Sequence, residues 1–419
     1  MMNKFPYLLA CVVSLGAEAA LPTWTFALPG FSYRTAGDGS GGGGAGSGSY
    51  EGYGKDAAGD TSSNLVHVTN LNNSGAGSFR TAVTGGNNRT VVFDVGGKIN
   101  LTSTLIVTGH HITVDACSAP SAVSIGGAAI SIEGNFSSPS ATVGAFQIWK
   151  CLRWRDNPPT GDDQLRIAFN AHDIVLDSNS FSGGQDSAVD VTEGAYNVTI
   201  SNNIFAAESG GGSNDKATLI ATGAYRVSYH HNLTVAHLDR NPLIDRDVQA
   251  IASNSANLHP MADVRCNIFW DFTIGTMVYS STGTAKVNVV SNLYDTGVGD
   301  HPSNNLTLGR NFGTLSDLYA YRNVSVPDSR GSGFAGGSSS VTITHTNSEN
   351  RASETIDSWA AVTCPTDQSG RIAAWTSVKN NAGLVAYFSD DTIDANARSR
   401  VTIPNTSVLN SAWNDPGQP

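Results

Sequence analysis

The chain is short of charge. Only 14% of its 419 residues are Asp, Glu, Lys or Arg, and 35 acidic residues outnumber 24 basic ones, for a formal net charge of −11. Phosphate binding needs a basic footprint, so nucleic acid is not expected as a partner. Long apolar runs are missing too: past the N-terminal segment no stretch is long and apolar enough to span a membrane as a helix. Cysteine is sparse, at 5 residues, and helix-forming runs are few. Asn-Gly hairpin signals are also scarce, which argues against a β-propeller, whose blades are built from hairpins.

What the chain does contain is glycine, 45 residues of it, with Asn, Ser and Thr throughout and a hydrophobic fraction of 40%. That mixture points to β structure rich in turns around a sizeable core. The length suits one large domain or two ordinary ones. At the N-terminus, "MMNKFPYLLACVVSLGAEAALP" places Lys4 before an apolar stretch and ends on Ala17-Glu18-Ala19. It reads as a secretory signal cut near Ala19, so a secreted, extracellular protein is expected. The four remaining cysteines, Cys117, Cys151, Cys266 and Cys364, then suggest disulfides. Asn-x-Ser/Thr sequons stand at Asn72, Asn88, Asn100, Asn135, Asn197, Asn232, Asn305, Asn323 and Asn405, although Asn-rich turns generate such triplets by chance. Gly37, Gly39 and Gly42 spell G-x-G-x-x-G, but with no strand before and no helix after, "GDGSGGGGAGSGSYEGYG" reads as a flexible low-complexity loop.

A short pattern recurs from about residue 112: an alternating apolar run, then Asn, then one or two apolar residues. Its copies are "DIVLDSNSF", "NVTISNNIF", "RVSYHHNLT", "DVRCNIFWD", "KVNVVSNLY" and "LYAYRNVSV", with the shared Asn at 179, 203, 232, 267, 292 and 323. A unit this small cannot bury its own apolar face, so the copies must stack. The expected fold is all-β: a right-handed parallel β-helix with long loops, the Asn side chains forming an amide ladder at one turn. "HITVDAC" and "FQIWKCL" fit the same register and put Cys117 and Cys151 at one position of successive coils, about 4.8 Å apart, a spacing that suits a disulfide. Cys266–Cys364 follows by elimination. "SFRTAV" after Ser78 is expected to form a helical cap on the open N-terminal end. The chain thus divides into a leader over 1–19, an extension with the Gly-rich loop over 20–64, a β-helix over 65–345 and a C-terminal tail over 346–419 packed on it.

Charged residues break this pattern in four places. In "QDSAVDVT", strand alternation groups Ser187, Val189 and Val191 on the inner face and turns Asp186 and Asp190 outward. "TGDDQLRI" brings Asp162 and Asp163 to the same outer face one coil earlier. Converging carboxylates call for a cation with oxygen ligands, Ca²⁺; the alternative is an ordinary solvated acidic patch. Lys216 in "NDKATLIATG" follows one coil later, and "LDRNPLIDR" brings Arg240 and Arg246 on the next. A cation site beside a basic strip suits a substrate that carries carboxylates. The alternative for the two arginines is surface pairing with Asp239, Asp245 and Asp247.

The sequence resembles the pectate lyase family of polysaccharide lyases, of the pectate lyase/pectin lyase superfamily. The likeness runs through "ALPGFSYR", "VHVTNLNNSGAGSFRTAV", "RTVVFDVGGKI", "DSAVDV", "DKATLI", "YHHN", "DRNP" and "VNVVSNLY". It implies β-elimination on polygalacturonate, with a free 4,5-unsaturated end as product. By this resemblance the calcium carboxylates fall on Asp163, Asp186 and Asp190, with Asp162 a less secure match beside them. The substrate-binding lysine falls on Lys216 and the catalytic arginine, opening R-x-P-x-x-R, on Arg240. The motif departs at its end, where position 245 is Asp and Arg246 comes one residue late; Arg246 is assigned to substrate binding. In "VLDS", Asp177 is kept and Ser178 replaces the family's His. Arginine is an awkward base, since a guanidinium ordinarily stays charged, and neighbouring positive charge favours release of its proton. Action on the inside of a chain by a monomer is expected. Two other readings are pectin lyase, acting on methyl-esterified pectin without calcium, and a non-catalytic β-helix that binds wall polysaccharide. A β-helical glycosidase using Asp186 and Asp190 as its two carboxylates leaves Lys216 and Arg240 without a task.

Overall fold

A computed structural model describes residues 50–155, 162–184, 186–207, 216–246, 262–280, 286–295, 306–311, 317–326, 362–365, 367–405 and 413–414. The expected leader and the G-x-G-x-x-G stretch lie outside these residues.

The described chain winds as a parallel β-helix. Three sheets run along it, of 10, 8 and 10 strands, and within each the strands add in chain order. All pairings are parallel except that of the short strand Trp413–Asn414. One coil shows the plan. His172–Asp177 lies in the first sheet, Ser180–Phe181 in the third and Ser187–Val191 in the second, before Tyr196–Ser201 returns to the first. Between the first and third sheets the chain turns in two residues. The first of these adopts positive φ at Ser178, Asn202, His231, Cys266, Ser291 and Arg322, and the second is the repeated Asn. The connections from the third sheet to the second vary in length, and the one from Arg246 back to the first sheet at Ala262 is long, which is why the Asn repeats are unevenly spaced.

The amide ladder forms as the sequence predicts. Each Asn Oδ1 accepts from the backbone N–H of the previous ladder Asn, from Asn203 to Asn179 at 2.8 Å through to Asn323 and Asn292 at 3.1 Å. Each Nδ2 also donates to a carbonyl one coil back, as Asn232 does to Ile200. The sequons at Asn232 and Asn323 are thus used inside the fold, while Asn72 and Asn100 are exposed. Beside the ladder, Trp154, Phe181, Phe205, Tyr229, Phe269 and Tyr294 form a continuous ring stack through the core. The two phenols keep partners there: Tyr229 meets the Thr234 hydroxyl and Tyr294 that of Thr276.

Cys117–Cys151 and Cys266–Cys364 are both bonded. The register differs by one residue from the sequence expectation, because Asp115 pairs with Lys150 and so Cys117 bridges diagonally to Cys151, at a Cα separation of 5.0 Å. A short helix, α1 (Phe79–Thr84), is capped by Ser78 and packs on Leu65–Val68 and Leu105–Val107, the first strands of two sheets. It inserts Phe79 against Phe93 and Trp149.

Two further segments cover outer faces. Residues from Tyr50 onward lie across the first sheet, where Tyr53 and Gly54 donate their N–H groups to Ser228 Oγ and Thr199 Oγ1. A Cβ on Gly54 would come within 2.5 Å of the Ile174 carbonyl oxygen, so glycine is required by the close approach. The end of the Gly-rich stretch, expected as flexible loop, is therefore docked from Tyr50 to Gly54. The third sheet is covered by helices α2 (Gln368–Asn381) and α3 (Thr392–Arg400). There Trp375 and Val378 pack on Ile204, Leu233, Ile268 and Leu293, and Arg155 pairs with Asp391 and Asp394. No helix among the described residues is long and apolar enough to cross a membrane.

Candidate active site

The second sheet carries the charged residues singled out in the sequence. Strand register brings them together from separate coils. Ser187 of Ser187–Val191 pairs with Lys216 of Lys216–Ile220, and Lys216 bridges to Asp239 on the segment that follows. That segment is held by its backbone, with Ala217 N–H donating to the Asp239 carbonyl and Thr218 N–H to that of Arg240, at 3.1 and 2.7 Å. Arg240 itself sits at φ 59°, a conformation that non-glycine residues hold only when fixed by their surroundings. Here its N–H donates to Asp239 Oδ1 at 2.5 Å, which sets the direction in which the side chain leaves.

The side chains converge on Asp186. Lys216 Nζ donates to Asp186 Oδ1 at 2.6 Å and Arg240 Nη1 to Asp186 Oδ2 at 3.2 Å. Arg240 Nη1 also hydrogen-bonds Ser187 Oγ and lies 3.8 Å from Asp190 Oδ1. Asp163 Oδ1 accepts from the Ser187 N–H at 3.1 Å. Asp163, Asp186, Asp190, Lys216 and Arg240 thus form one cluster. Asp162 is exposed beside it. Arg246 ends the strand Leu243–Arg246 in register with Ser280, and its side chain lies outside the described residues.

The surface alternative for Arg240 is corrected by this geometry. Its guanidinium reaches Asp186 and Asp190, both on the coil two turns earlier, and Asp239 holds its backbone N–H. The expected alternation along Ser187–Val191 also needs correction. All five residues are buried, Asp190 included at 6% exposure, and Ser187 turns its hydroxyl to Arg240 instead of into the core. Lys216 from the next coil and Arg240 from the one after reach over to Asp186 and Ser187. Sequence reasoning also missed Asp239 as the residue that orients Arg240; its position immediately before the arginine was the available signal.

Burial dominates the electrostatics. It pushes the Asp190 carboxyl well above the usual carboxylate range, with the Asp163 charge adding to the effect and Arg240 opposing it. Burial pushes Asp163 up as well, against hydrogen bonds from Asp190 and the Ser187 N–H. The two carboxyls titrate together, and burial pushes both toward their neutral forms. Asp186 goes the other way: burial raises it, but the Lys216 hydrogen bond and the Arg240 charge outweigh that and hold it low. One oxygen, Asp190 Oδ1, is buried with no hydrogen-bond partner. No three His, Cys, Asp or Glu side chains among the described residues are arranged so that together they could hold a metal ion, since Asp186 is turned toward Lys216 and Arg240. The donor chemistry still fits a hard cation: an orphaned buried carboxylate oxygen on Asp190, a second carboxylate on Asp163 coupled to it and a third, Asp186, within the same cluster.

No family model matches the chain. Over 156 residues it is 34% identical to the probable pectate lyase C of Neosartorya fischeri, and equally so to that of Aspergillus fumigatus. That alignment covers 37% of this chain and 35% of the relative, so the chain spans about a third of the length of the curated relatives it matches. Solved structures share the fold more widely. The cedar pollen allergen jun a 1 superposes with a TM-score of 0.53 at 16% identity, over 80% of this chain and 92% of its own. The thermostable pectate lyase PL 47 gives 0.53 at 14%, over 81% and 98%. A pectate lyase bound to a hexasaccharide gives 0.54 at 12%, over 81% and 98%. The chain is thus similar in sequence over 156 residues to proteins named probable pectate lyase C, and it shares its fold with solved structures that include pectate lyases.

Proposed function

We propose that the protein is a secreted, calcium-dependent pectate lyase that cleaves polygalacturonate by β-elimination. The single observation that carries the reading is the convergence of Lys216 and Arg240 on the Asp163, Asp186 and Asp190 cluster. A glycosidase would need its two carboxylates and no such basic pair. A binding module would have no need to hold an arginine in a left-handed conformation over buried acids.

Asp163, Asp186 and Asp190 would hold Ca²⁺, with Asp186 giving up its bonds to Lys216 and Arg240 in exchange. The bound ion supplies positive charge that draws electrons from a uronate carboxylate and acidifies the proton on C5. Lys216 binds that carboxylate through its Nζ. Arg240, released from Asp186 and held by Asp239 and Thr218, first gives up a proton to water under the nearby positive charge; the neutral guanidine then faces C5, takes its proton and ends as guanidinium. The C5–H electrons become the C4=C5 bond, the C4–O4 bond breaks, and O4 leaves with a proton from water. A new reducing end and a 4,5-unsaturated end result. Arg246 is assigned to holding the polyanion. Pectin lyase action without calcium is the second reading, and the acids at Asp186 and Asp190 disfavour it.

The test is the calcium requirement of Asp186→Asn and Asp190→Asn. Both variants are expected to need more than tenfold higher Ca²⁺ for half-maximal activity on polygalacturonate. An unaltered calcium titration in both would remove the metal site from this cluster.

A further inference from the structure

Arg166 has no part in the chemistry described above, yet it shares the sheet that carries the site. In "TGDDQLRI" it follows Asp163 by three residues. Strand register sets it directly beside Asp190, with Ser131 as its neighbour on the other side. The same row continues to Ile106 in one direction and to Leu219 in the other. Adjacent strands lie about 4.8 Å apart, so a sugar next to one bound over Asp190 comes within reach of Arg166.

The side chain is presented rather than buried. Its exposure is 36%, against 15% for Arg240. Three contacts fix it. Nε donates to Ser131 Oγ and Nη2 to Glu133 Oε1, both at 3.3 Å, and the guanidinium lies over the Phe169 ring, 5.2 Å from its centroid. Phe136 packs edge-on against Phe169 and is 52% exposed, one of the few large apolar side chains on the surface. Asn170 holds this loop through hydrogen bonds to the carbonyls of Asn135 and Phe136. A planar fork backed by one aromatic ring, with a second ring open beside it, matches a uronate sugar. The fork takes the carboxylate in bidentate fashion and the ring takes the apolar face of the pyranose.

We propose that Arg166, supported by Phe169 and Phe136, is a second carboxylate-binding position, holding a uronate residue adjacent to the one at the Asp190 cluster. The inference rests on the polyuronate substrate class of the proposed function, not on its elimination step. The bond to Glu133 is long, at 3.3 Å, and partly exposed on the arginine side, where ion pairs hold weakly, so an incoming carboxylate can displace it. Glu133 is then a competitor that weakens binding.

The test measures hexagalacturonate binding by calorimetry on the full chain with calcium present, using Arg240→Lys as the parent to suppress turnover. Arg166→Gln is expected to weaken binding about tenfold, in line with loss of one charge-assisted contact. Arg166→Lys restores part of it, and Glu133→Gln binds more tightly than the parent. A structural role cannot yield that last gain. Unchanged affinity in Arg166→Gln overturns the proposal. So does weakening in Glu133→Gln, and the Lys and Gln variants decide the matter if Arg166→Gln does not fold. Wild-type protein is assayed in parallel for unsaturated product. If none forms while Arg166→Gln still loses affinity, the elimination reading falls and the binding position stands.

Discussion

Arg240 concentrates the chemistry of the account in one side chain. Its guanidinium touches Asp186, Ser187 and the edge of Asp190, and its backbone is locked by Asp239 and Thr218. Arg240→Lys keeps the charge but shortens the reach and loses the planar fork. It is expected to lower kcat on polygalacturonate by several orders of magnitude with a much smaller change in KM, as steady-state kinetics will show. His230 offers a separate test. It is 4% exposed, and burial, assisted by the Arg265 charge and opposed by the Glu51 backbone, lowers its pKa to about 4. Between about 6.5 and 4 the unfolded chain therefore takes up a proton that the folded chain refuses. Stability is full above the unfolded value and falls as pH drops through this window, at up to about 1.4 kcal/mol per unit. Thermal unfolding of His230→Gln across that range should show a flatter decline than the wild type. The converging residues were plain in the sequence because their type was unusual for their place: Asp186, Asp190, Lys216 and Arg240 stand out against a lightly charged background. Ser187 and Asp239 were not, because a hydroxyl and an acid in a turn-rich chain have many ordinary uses and only the contact tells them apart.

Among the elements, the Asn ladder ties the coils together. Asn232 accepts from Asn203, donates to Ile200 and Asn267, and is fully buried. Asn232→Leu removes these bonds and leaves the Asn203 N–H and the Ile200 carbonyl without partners in the interior. Each orphaned group costs about 1–3 kcal/mol, so a loss of roughly 2–6 kcal/mol is expected in denaturant unfolding. The ladder was legible because it repeats: the same residue with the same apolar neighbours, coil after coil. The diagonal disulfide was legible only as a pairing. Its one-residue offset depends on the bend after Lys150, where Cys151 takes positive φ, and no local sequence rule sets that. The docking of Tyr50–Gly54 was hidden for a different reason. Glycines required by close approach and glycines in a flexible loop look alike until the opposing surface, here Thr199 and Ser228, is known.

At the scale of the whole molecule, the β-helix sorts its three outer faces. The N-terminal segment covers the first sheet and the C-terminal helices cover the third. The second carries the cluster of acids and bases together with Arg166 and the exposed Phe136. A net acidic protein can attract a polyanion at such a face because only the local field matters to it. The composition foretold the β architecture, but which sheets the described N- and C-terminal segments would cover could not be read from it, since those segments lie far away in sequence. The central claim is that this face performs calcium-dependent elimination. The most direct measurement is ultraviolet absorbance of unsaturated product from polygalacturonate, followed with calcium, after chelation and after calcium is restored. The account predicts a steady rise with calcium, its loss on chelation and its return on re-addition. Chain cleavage that yields reducing ends without the absorbance, or a rise indifferent to chelator, would contradict it.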